Sequence, residues 1–314
     1  MVEFGRNVKM FVKILNMRGF IMVDKGRGMT SFDVVYKVRK WANEKRVGHA
    51  GTLDPLATGL LIVAVGEATK VLEYLIGFDK EYVVKGFFGA VSDTFDAEGR
   101  IEVLSAEKAK KYAGMTRKDF EKTVLPKFLG EINQVPPKYS ALKIDGKRAM
   151  DMARNGEKFE MKSRKVMIYD LKVVEFNWPE VVIKVKCGSG TYIRSLINDM
   201  GQEIGCGAYV KELRRSEIDR YTVGDDKVID VSQGFDFANK NIEQYLISLE
   251  VMLKHWPRVE LTDEEFAILK NGGAVLYKKN ELDGVLLAYF KDKIVGILEK
   301  GRDSATIKFR KQIF

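Results

Sequence analysis

The segment GHAGTLDPLATG, residues 48–59, is the most informative stretch of this sequence. It lies between a predicted helix and an apolar run, and its glycines and proline favour an irregular backbone. Long irregular segments between regular elements often carry functional groups. Within this one, Asp54 lies between Leu53 and Pro55, so its carboxylate has apolar neighbours. An Asp-Pro pair can also simply begin a turn, and the segment by itself leaves both interpretations open.

Patterns on both sides of this segment predict a large unit of mixed helices and strands. Branched and aromatic side chains are typical of strands, and we expect strands at residues 20–23, 60–65, 81–91, 165–176, 181–187 and 210–218. Helices are expected at 116–128, 148–155 and 191–204, the last ending at Gly205. Thr30 or Ser31 can cap a further helix, whose expected apolar face carries Phe32, Val35, Val38 and Trp41.

The pattern changes beyond residue 239. Thr262 and Glu265 form a capping box for a short helix that ends at Gly272, and short strands are expected at 285–290, 294–299 and 305–309. One helix with several strands indicates a small β-rich domain. We therefore expect an α+β protein with three parts, which are an N-terminal extension at 1–19, a large domain at 20–247 and a small domain at 248–314.

The composition is that of an ordinary globular protein with excess positive charge. Lys and Arg number 53 against 44 Asp and Glu, which gives a formal net charge of +9. This surplus of positive charge suits a polyanionic partner, but a basic surface that only contacts solvent would give the same net charge. With 2 cysteines and 2 histidines, a disulfide scaffold is excluded and a His-based metal site is disfavoured. No apolar run could span a bilayer and no signal-peptide pattern is found, so we expect a cytoplasmic protein.

Common nucleotide-binding and nucleophile motifs are absent from the sequence. No GxxxxGK[ST] P-loop and no GxSxG elbow occurs. Three GxG pairs, at residues 26–28, 188–190 and 205–207, lack the third glycine of a dinucleotide site. We therefore expect neither a metal nor an organic cofactor.

Two further segments combine a candidate binding group with an unusual context. Tyr82, in DKEY at 79–82, begins a strand, where packing is the commoner role of an aromatic ring. Gly188 and Gly190 allow close backbone approach, and Arg194 follows in the first turn of a helix. Because cations are disfavoured at a helix N-terminus, Arg194 is expected to have an acidic partner or ligand, although an exposed arginine also fits the pattern.

Four motifs, in this order, resemble the bacterial TruB family of tRNA pseudouridine-55 synthases. They are GHAGTLDPLATG, DKEY at 79–82, YSALKIDG at 139–146 and GTYIR at 190–194. The resemblance extends from about residue 20 to residue 215, and its first motif is highly specific. It implies a pseudouridine synthase fold, in which helices flank a large mixed, mainly antiparallel sheet. The layout of the small domain is similar to a PUA domain, an RNA-binding module.

The resemblance implies isomerisation of uridine 55 in the T-loop of tRNA. The N-glycosidic bond breaks, the uracil turns and a carbon–carbon bond forms. Asp54 would be the catalytic carboxylate, which either attacks the anomeric carbon or assists glycal formation. Arg194 would pair with Asp54 and keep it ionised. Tyr82 would stack on the base and could take part in proton transfer.

The resemblance also implies residues that bind substrate and RNA. His49, Tyr192 and Leu213 match residues around a flipped-out nucleotide, and Lys25 would contact RNA or shape the pocket. A basic insert at about 130–160 would clasp the T-arm, and the small domain would extend towards the acceptor stem. The expected phosphate contacts are Lys143, Lys147, Arg148, Arg154 and Arg214, with Arg215 as a further candidate.

Two other functions remain open at this point. A catalytic subunit guided by a separate RNA would share the same chemistry. The YSALK motif, the Gly146-Lys-Arg148 segment and the short C-terminus favour a stand-alone enzyme without guide RNA, by analogy a monomer. An RNA-binding or RNA-folding protein without catalysis would not need Asp54, Tyr82 and Arg194 together.

Overall fold

The computed structural model describes residues 18–103, 105, 112–232, 234–277, 285–301 and 305–313. The expected N-terminal extension lies outside these residues except for its last two positions. None of the helices in the described ranges is long and apolar enough to cross a membrane.

The strands of the large domain agree closely with the expected ones. In chain order they are β1 Gly19–Lys25, β2 Val47–His49, β3 Thr58–Val65, β4 Lys80–Phe88, β5 Ala90–Ser92, β6 Ile101–Val103, β7 Gly130–Gln134, β8 Lys143–Ile144, β9 Lys147–Arg148, β10 Arg164–Asn177, β11 Glu180–Cys187, β12 Ala208–Ile218, β13 Tyr221–Thr222 and β14 Ile229–Asp230. Gly89 interrupts the run expected at 81–91, and β7 occupies the first residues of the insert expected at about 130–160.

Ten of the described strands form one mixed sheet at the centre of the large domain. Eight follow the order β14-β1-β3-β12-β4-β11-β10-β7, while β2 pairs with β3 and β13 pairs with β12. The pairs β1–β14 and β3–β12 are parallel, and the other pairs are antiparallel. The predicted mixed, mainly antiparallel sheet is therefore confirmed.

Helices flank the sheet, and one predicted helix is irregular. The bounds in the large domain are Ser31–Ala42, Leu72–Ile76, Ala149–Arg154 and Ile193–Ile204, with a 3-10 turn at Gly66–Val71 and another at Ile242–Gln244. The segment expected as one helix at 116–128 is a short α-turn, a π-turn and a 3-10 turn, at Arg117–Asp119, Phe120–Val124 and Leu125–Phe128. Pro126 lacks the N–H that a regular α-helix needs there.

The helix Ser31–Ala42 begins with the expected cap but turns a different face inward. Thr30 and Asp33 form a capping box, which satisfies backbone donors of the first turn. The buried face is formed by Val34, Val35 and Val38. Phe32, expected on that face, is 62% exposed. The buried apolar stripe of the helix includes Val34 instead of Phe32.

Strand β3 is buried on both of its faces. Leu61, Val63 and Val65 pack in the cluster beneath the helix Ser31–Ala42. Leu60 and Ile62 face the other way, into a cluster that includes side chains of the small domain. Burial on both faces explains why this strand reads as a continuous apolar run.

The small domain is a curled sheet with one helix. Its strands are β15 Arg258–Glu260, β16 Val275–Leu276, β17 Leu286–Phe290, β18 Lys293–Lys300 and β19 Thr306–Gln312, in the order β15-β17-β18-β19-β16. The helix Asp263–Lys270 carries the predicted capping box, and a short helix at Leu249–Met252 precedes it. The predicted β-rich C-terminal domain is confirmed.

The two domains share contacts. Phe20 and Ile247 exchange backbone hydrogen bonds of 2.8 Å, so the chain leaves the central sheet just after Ile247. The Lys70 ammonium donates to the carbonyl of Gln312 at 2.8 Å, and Lys311 pairs with Glu73. A common apolar cluster and these polar contacts therefore join the end of the chain to the large domain.

Candidate active site

The segment 48–59 is held as an ordered loop by groups from the first helix and from the turn before it. The Ser31 hydroxyl accepts from Leu53 N at 2.8 Å and donates to Leu53 O at 3.1 Å. Gly28 N donates to the carbonyl of Pro55 at 2.8 Å. These contacts fix the backbone on both sides of Asp54, while the neighbouring Leu53 is buried in the core of the large domain. The Asp-Pro pair therefore lies in a rigid loop.

Lys25 lies beneath this loop and does not line the cleft described below. Its ammonium donates to the carbonyls of Met29 at 2.7 Å, Gly26 at 3.0 Å and Pro55 at 3.5 Å. Burial lowers its pKa to about 8, and the charge of Asp54 opposes that shift. Since Lys25 is fully buried and its amino group donates to three carbonyls, it supports the loop from beneath.

Asp54 and Arg194 are in direct contact. Arg194 Nη2 donates to Asp54 Oδ1 at 3.1 Å, and Nε lies 2.9 Å from Oδ2. The arginine side chain is only 4% exposed, whereas that of Asp54 is 34% exposed. Removal from water raises the pKa of the Asp54 carboxyl, and the Arg194 guanidinium opposes this rise. The expected acidic partner of Arg194 is therefore the residue from the first motif.

A second carboxylate, which the sequence patterns did not single out, holds the other side of Arg194. Asp96 Oδ2 lies 3.3 Å from Arg194 Nη1, and its side chain is 3% exposed. Asp96 Oδ1 accepts from the Thr94 hydroxyl at 2.6 Å and from Glu98 N at 3.0 Å. The guanidinium thus lies between two carboxylates. Asp96 belongs to a segment with the pattern of an ordinary polar turn. Only its position between apolar Phe95 and Ala97 could have identified it as a residue of the site.

A cleft of about 280 Å³ opens over the Asp54–Arg194 pair. This volume is at the lower end for small-molecule sites. Its walls bring together Asp54, Tyr82, Tyr192, Arg194 and Leu213, which were all expected in one site from distant parts of the sequence. Other side chains in the walls are those of Ile76, Lys80, Ser140, Arg164 and Arg215.

Tyr82 lies deep in the wall, beside two buried cations. Burial raises the pKa of its hydroxyl, and the positive charge of Arg215 opposes the rise. Lys80 donates to the carbonyls of Ile76, at 2.7 Å, and Phe78. Burial, followed by the charge of Arg215, lowers the pKa of Lys80 to about 8. This end of the cleft therefore contains two cations close to a neutral phenol.

Arg215 faces inward, which corrects its expected role as a phosphate contact. It is 1% exposed. Its Nε donates to Leu60 O at 2.7 Å and its Nη2 donates to Gly51 O at 3.1 Å. Arg215 and Arg214 follow each other on β12, so their side chains point to opposite faces of the sheet. Arg215 therefore ties the loop 48–59 to the central sheet.

Tyr192 is held at the mouth of the cleft by a buried glutamine. Gln134 Oε1 accepts from Tyr192 N at 2.8 Å and its Nε2 donates to Tyr192 O at 3.0 Å. The Arg164 guanidinium lies 4.7 Å from the centre of the Tyr192 ring and also donates to Gly190 O. Sequence patterns do not identify Gln134 or Arg164 as residues of the site, because both lie in strands without a recognisable motif.

His49 lies beside the cleft rather than in its wall. It pairs with Val63 at the end of β2, and its ring is half-buried. Burial and the nearby charge of Arg215 lower its pKa, so the ring is neutral at pH 7. Its buried Nδ1 has no hydrogen-bond partner in the described part of the chain.

The expected phosphate contacts fall into two groups. Four of them lie exposed on the insert, in the hairpin β8–β9 and the following helix, namely Lys143, Lys147, Arg148 and Arg154. Lys147 also pairs with Glu157 at 3.3 Å. Arg214 forms the second group. It lies outside the insert, on β12, and donates to Asp24 Oδ1 at 3.0 Å. Its charge is therefore partly neutralised by a carboxylate.

Comparison with known proteins identifies the family of this chain. The model of the TruB family pseudouridylate synthase N-terminal domain matches residues 39–193, and that of the tRNA pseudouridylate synthase B C-terminal domain matches residues 194–254. The tRNA pseudouridine synthase B of Clostridium tetani is 37% identical over 295 residues, covering 93% of this chain and 98% of that protein. That of Aquifex aeolicus is 37% identical over 285 residues, covering 90% and 96%.

Solved structures share the fold. A chain of a Cbf5–Nop10–Gar1 complex matches with a TM-score of 0.66 and 24% identity, covering 98% of this chain and 87% of that chain. A chain of an archaeal box H/ACA Nop10–Cbf5 complex matches with a TM-score of 0.63 and 22% identity, covering 94% and 86%. The resemblance noted in the four sequence motifs is confirmed by the family models and the curated relatives. The chain belongs to the TruB family of pseudouridylate synthases.

Proposed function

We propose that this chain isomerises uridine 55 in the T-loop of tRNA to pseudouridine, and that it does so without a guide RNA. The observation that carries the proposal is the contact between Asp54 and Arg194 at the base of an aromatic-lined cleft. An RNA-binding protein without catalysis has no use for a carboxylate kept partly exposed beside a buried guanidinium. The curated relatives, which are named tRNA pseudouridine synthase B, support tRNA as the substrate.

In the proposed reaction Asp54 acts at the anomeric carbon C1′ of the ribose. The bond between N1 and C1′ breaks, the uracil turns, and a bond forms between C5 and C1′. The hydrogen at C5 is lost as a proton, N1 gains a proton, and the carboxylate is regenerated. Direct attack on C1′ and formation of a glycal both require the ionised form of Asp54. Arg194 favours that form by placing a positive charge within 3.1 Å.

The neighbouring side chains suit a base that has left its stack. Tyr82 offers a ring face and Leu213 an apolar contact in the cleft wall, and these contacts offset the few kcal/mol that extrusion costs. Tyr192 closes the mouth of the cleft. The neutral ring of His49, beside the cleft, takes part in holding the flipped-out nucleotide in this proposal.

The RNA-binding surface in this proposal is the basic insert. Its exposed cations contact phosphates of the T-arm and release counterions, Arg214 adds a further contact, and the PUA-like small domain extends the surface towards the acceptor stem. The enzyme acts as a monomer in the cytoplasm, where its substrate is found. The related Cbf5 chains were solved with protein partners, whereas the proposed enzyme needs none.

The test is an assay of the purified chain with an unmodified tRNA transcript and no other component. We expect one pseudouridine, at position 55, located by mass-based mapping of the modified nucleotide. Asp54→Asn should keep its fold and its tRNA affinity but lose turnover by at least ~10³-fold. Asp226→Asn, an exposed aspartate in a turn outside the cleft, is the matched control and should be fully active. Activity only with an added guide RNA would contradict the proposal, as would turnover by Asp54→Asn.

The role of the insert has its own test. Amide hydrogen exchange should slow at residues 135–158 when tRNA binds, because the exposed hairpin then lies against RNA. Exchange in the segment Arg117–Phe128, in the large domain but outside the insert, gives a comparison within the same sample. Unchanged exchange throughout the insert would remove it from the RNA-binding surface.

A further inference from the structure

Ser140 belongs to the wall of the cleft and carries a buried, unpaired hydroxyl. The residue is 4% exposed, and its Oγ has no hydrogen-bond partner in the described ranges. A buried hydroxyl without a partner is unfavourable, and native proteins leave few of them. In the wall of a binding cleft, this orphan group indicates a bond that is completed by the substrate.

The backbone around Ser140 is fixed on both sides. Tyr139 O accepts from Arg194 Nη2 at 2.9 Å, and Ser140 O accepts from Met150 N at 3.1 Å. The same Arg194 nitrogen donates to Asp54 Oδ1. The hydroxyl therefore has a defined position relative to the catalytic carboxylate, because one guanidinium nitrogen holds both the carboxylate and the preceding peptide.

The neighbourhood identifies the part of the substrate within reach. Asp54 acts at C1′, so the group beside it in the occupied cleft is the ribose, whereas the base extends towards Tyr82 and Leu213. Within an RNA chain the 3′ and 5′ oxygens are esterified, which leaves the 2′-hydroxyl as the free hydroxyl of that ribose. This group both donates and accepts hydrogen bonds, and so does a serine hydroxyl.

We propose that Ser140 binds the target nucleotide through a hydrogen bond between its hydroxyl and the ribose 2′-hydroxyl. The inference rests on the proposed function, since it needs a ribonucleotide in the cleft. It assigns Ser140 as a binding residue that recognises RNA rather than DNA at the target position. It also links the basic insert to the reacting sugar, because Met150 lies in the first turn of the insert helix and its N–H donates to the Ser140 carbonyl.

The test is a double-mutant cycle on RNA affinity with the full chain. Each protein carries Asp54→Asn so that the RNA is not converted, and each binds a T-arm hairpin with uridine or 2′-deoxyuridine at the target position. We expect Ser140→Ala to weaken binding of the uridine hairpin about 3- to 10-fold. The 2′-deoxy change should weaken binding to the same degree, and both changes together should add nothing further. Losses that multiply would overturn the assignment.

Controls separate this role from a structural one. Because the hydroxyl has no partner in the free protein, Ser140→Ala should leave the Tm unchanged or raise it slightly. Ser140→Cys keeps the side-chain size with a weaker donor and should lose affinity as Ala does. Ser163→Ala, at an exposed serine outside the cleft wall, should bind as well as its Asp54→Asn parent. A lower Tm with unchanged affinity would make Ser140 a packing residue.

Failure of this inference is distinguishable from failure of the proposed function. If the unsubstituted chain forms pseudouridine 55 while Ser140→Ala binds normally, only the assignment of Ser140 is wrong. If the unsubstituted chain neither modifies the transcript nor binds the hairpin, the proposed function itself fails.

Discussion

At the scale of single residues, the chemistry depends on the opposing influences on Asp54. Its neighbours in the loop are apolar, so removal from water raises the pKa of its carboxyl. Arg194 opposes that effect, and Asp96 on the far side of the guanidinium shares its positive charge. A carboxylate that is only partly neutralised keeps its basicity and its nucleophilicity. Arg194 therefore favours the ionised form of Asp54 against the effect of burial.

The pH dependence of the reaction follows from this balance. Both proposed routes need ionised Asp54, and its pKa is raised. We therefore expect the single-turnover rate to fall as pH decreases through a value above the ~3.9 of a free aspartate. Below that value the rate should drop about tenfold per pH unit.

Release of tritium from 5-tritiated uridine in tRNA, between pH 4 and pH 8, measures this rate. Circular dichroism at each pH shows whether the chain is still folded, and only folded samples count. A rate that is constant down to pH 4 would contradict the raised pKa.

At the scale of elements, the close approach of β3 and β12 positions the active-site loop. Gly59 pairs with Arg215 across the two parallel strands and has a φ of +105°. A Cβ at Gly59 would lie 2.2 Å from the Arg215 carbonyl oxygen. The inward side chain of Arg215 then reaches Leu60 and Gly51. A glycine is needed here because both the backbone angle and the space exclude a side chain.

Gly59→Ala is therefore expected to be strongly destabilising. It combines the strain of positive φ, ~1–2 kcal/mol, with a backbone clash that adds ~1–3 kcal/mol. Gly28→Ala is the matched control, since Gly28 also has positive φ but no atom lies within 4 Å of its added Cβ. Urea unfolding of both variants measures the free energies of unfolding. Equal losses of unfolding free energy in the two variants would show that the close approach of β12 is not the reason for a glycine at position 59.

At the scale of the whole molecule, the two domains share one apolar cluster. Leu287 packs with Phe20 and Leu60 of the large domain. Its neighbour Leu286 faces the other side of the same strand, into the core of the small domain alone. Adjacent positions on a strand point to opposite faces, so these two leucines report on different cores. The small domain is therefore expected to stabilise the large one.

Leu287→Ala and Leu286→Ala test this coupling. Each should cost ~2–5 kcal/mol locally. Amide exchange in β1 and β3 should become faster in Leu287→Ala, because that cavity lies against the large domain. In Leu286→Ala the faster exchange should be confined to the small domain. Identical exchange patterns in the two variants would contradict a shared core.

The net charge of +9 predicts binding that depends strongly on salt. The slope of log affinity against log salt concentration should be about −0.7 to −0.9 per phosphate neutralised. Removing one phosphate contact, by Lys143→Ala or Arg148→Ala, should make the slope less steep by about 1. Lys118→Ala removes an exposed cation outside the insert and should leave the slope unchanged. A salt-independent affinity would exclude a binding surface dominated by phosphates.

Neighbouring residues account for the local features of the fold. The capping box at Thr30, the continuous apolar run of β3 and the loop that frames Asp54 all follow from neighbouring residues. The place of Arg194 at a helix start favours an acidic partner, although an exposed arginine fits the sequence pattern equally well. These features could be predicted because propensity, capping and turn formation act over a few residues.

Contacts between distant groups, in contrast, depend on the complete fold. It brought Asp96 to the second side of Arg194, turned Arg215 inward beneath the loop, and left the Ser140 hydroxyl unpaired in the cleft wall. It also placed Leu287 in a core shared by both domains. Each outcome depends on strand register and on the face that a side chain takes. Strand register is set by the packing of whole sheets and therefore cannot be inferred from a short segment of sequence.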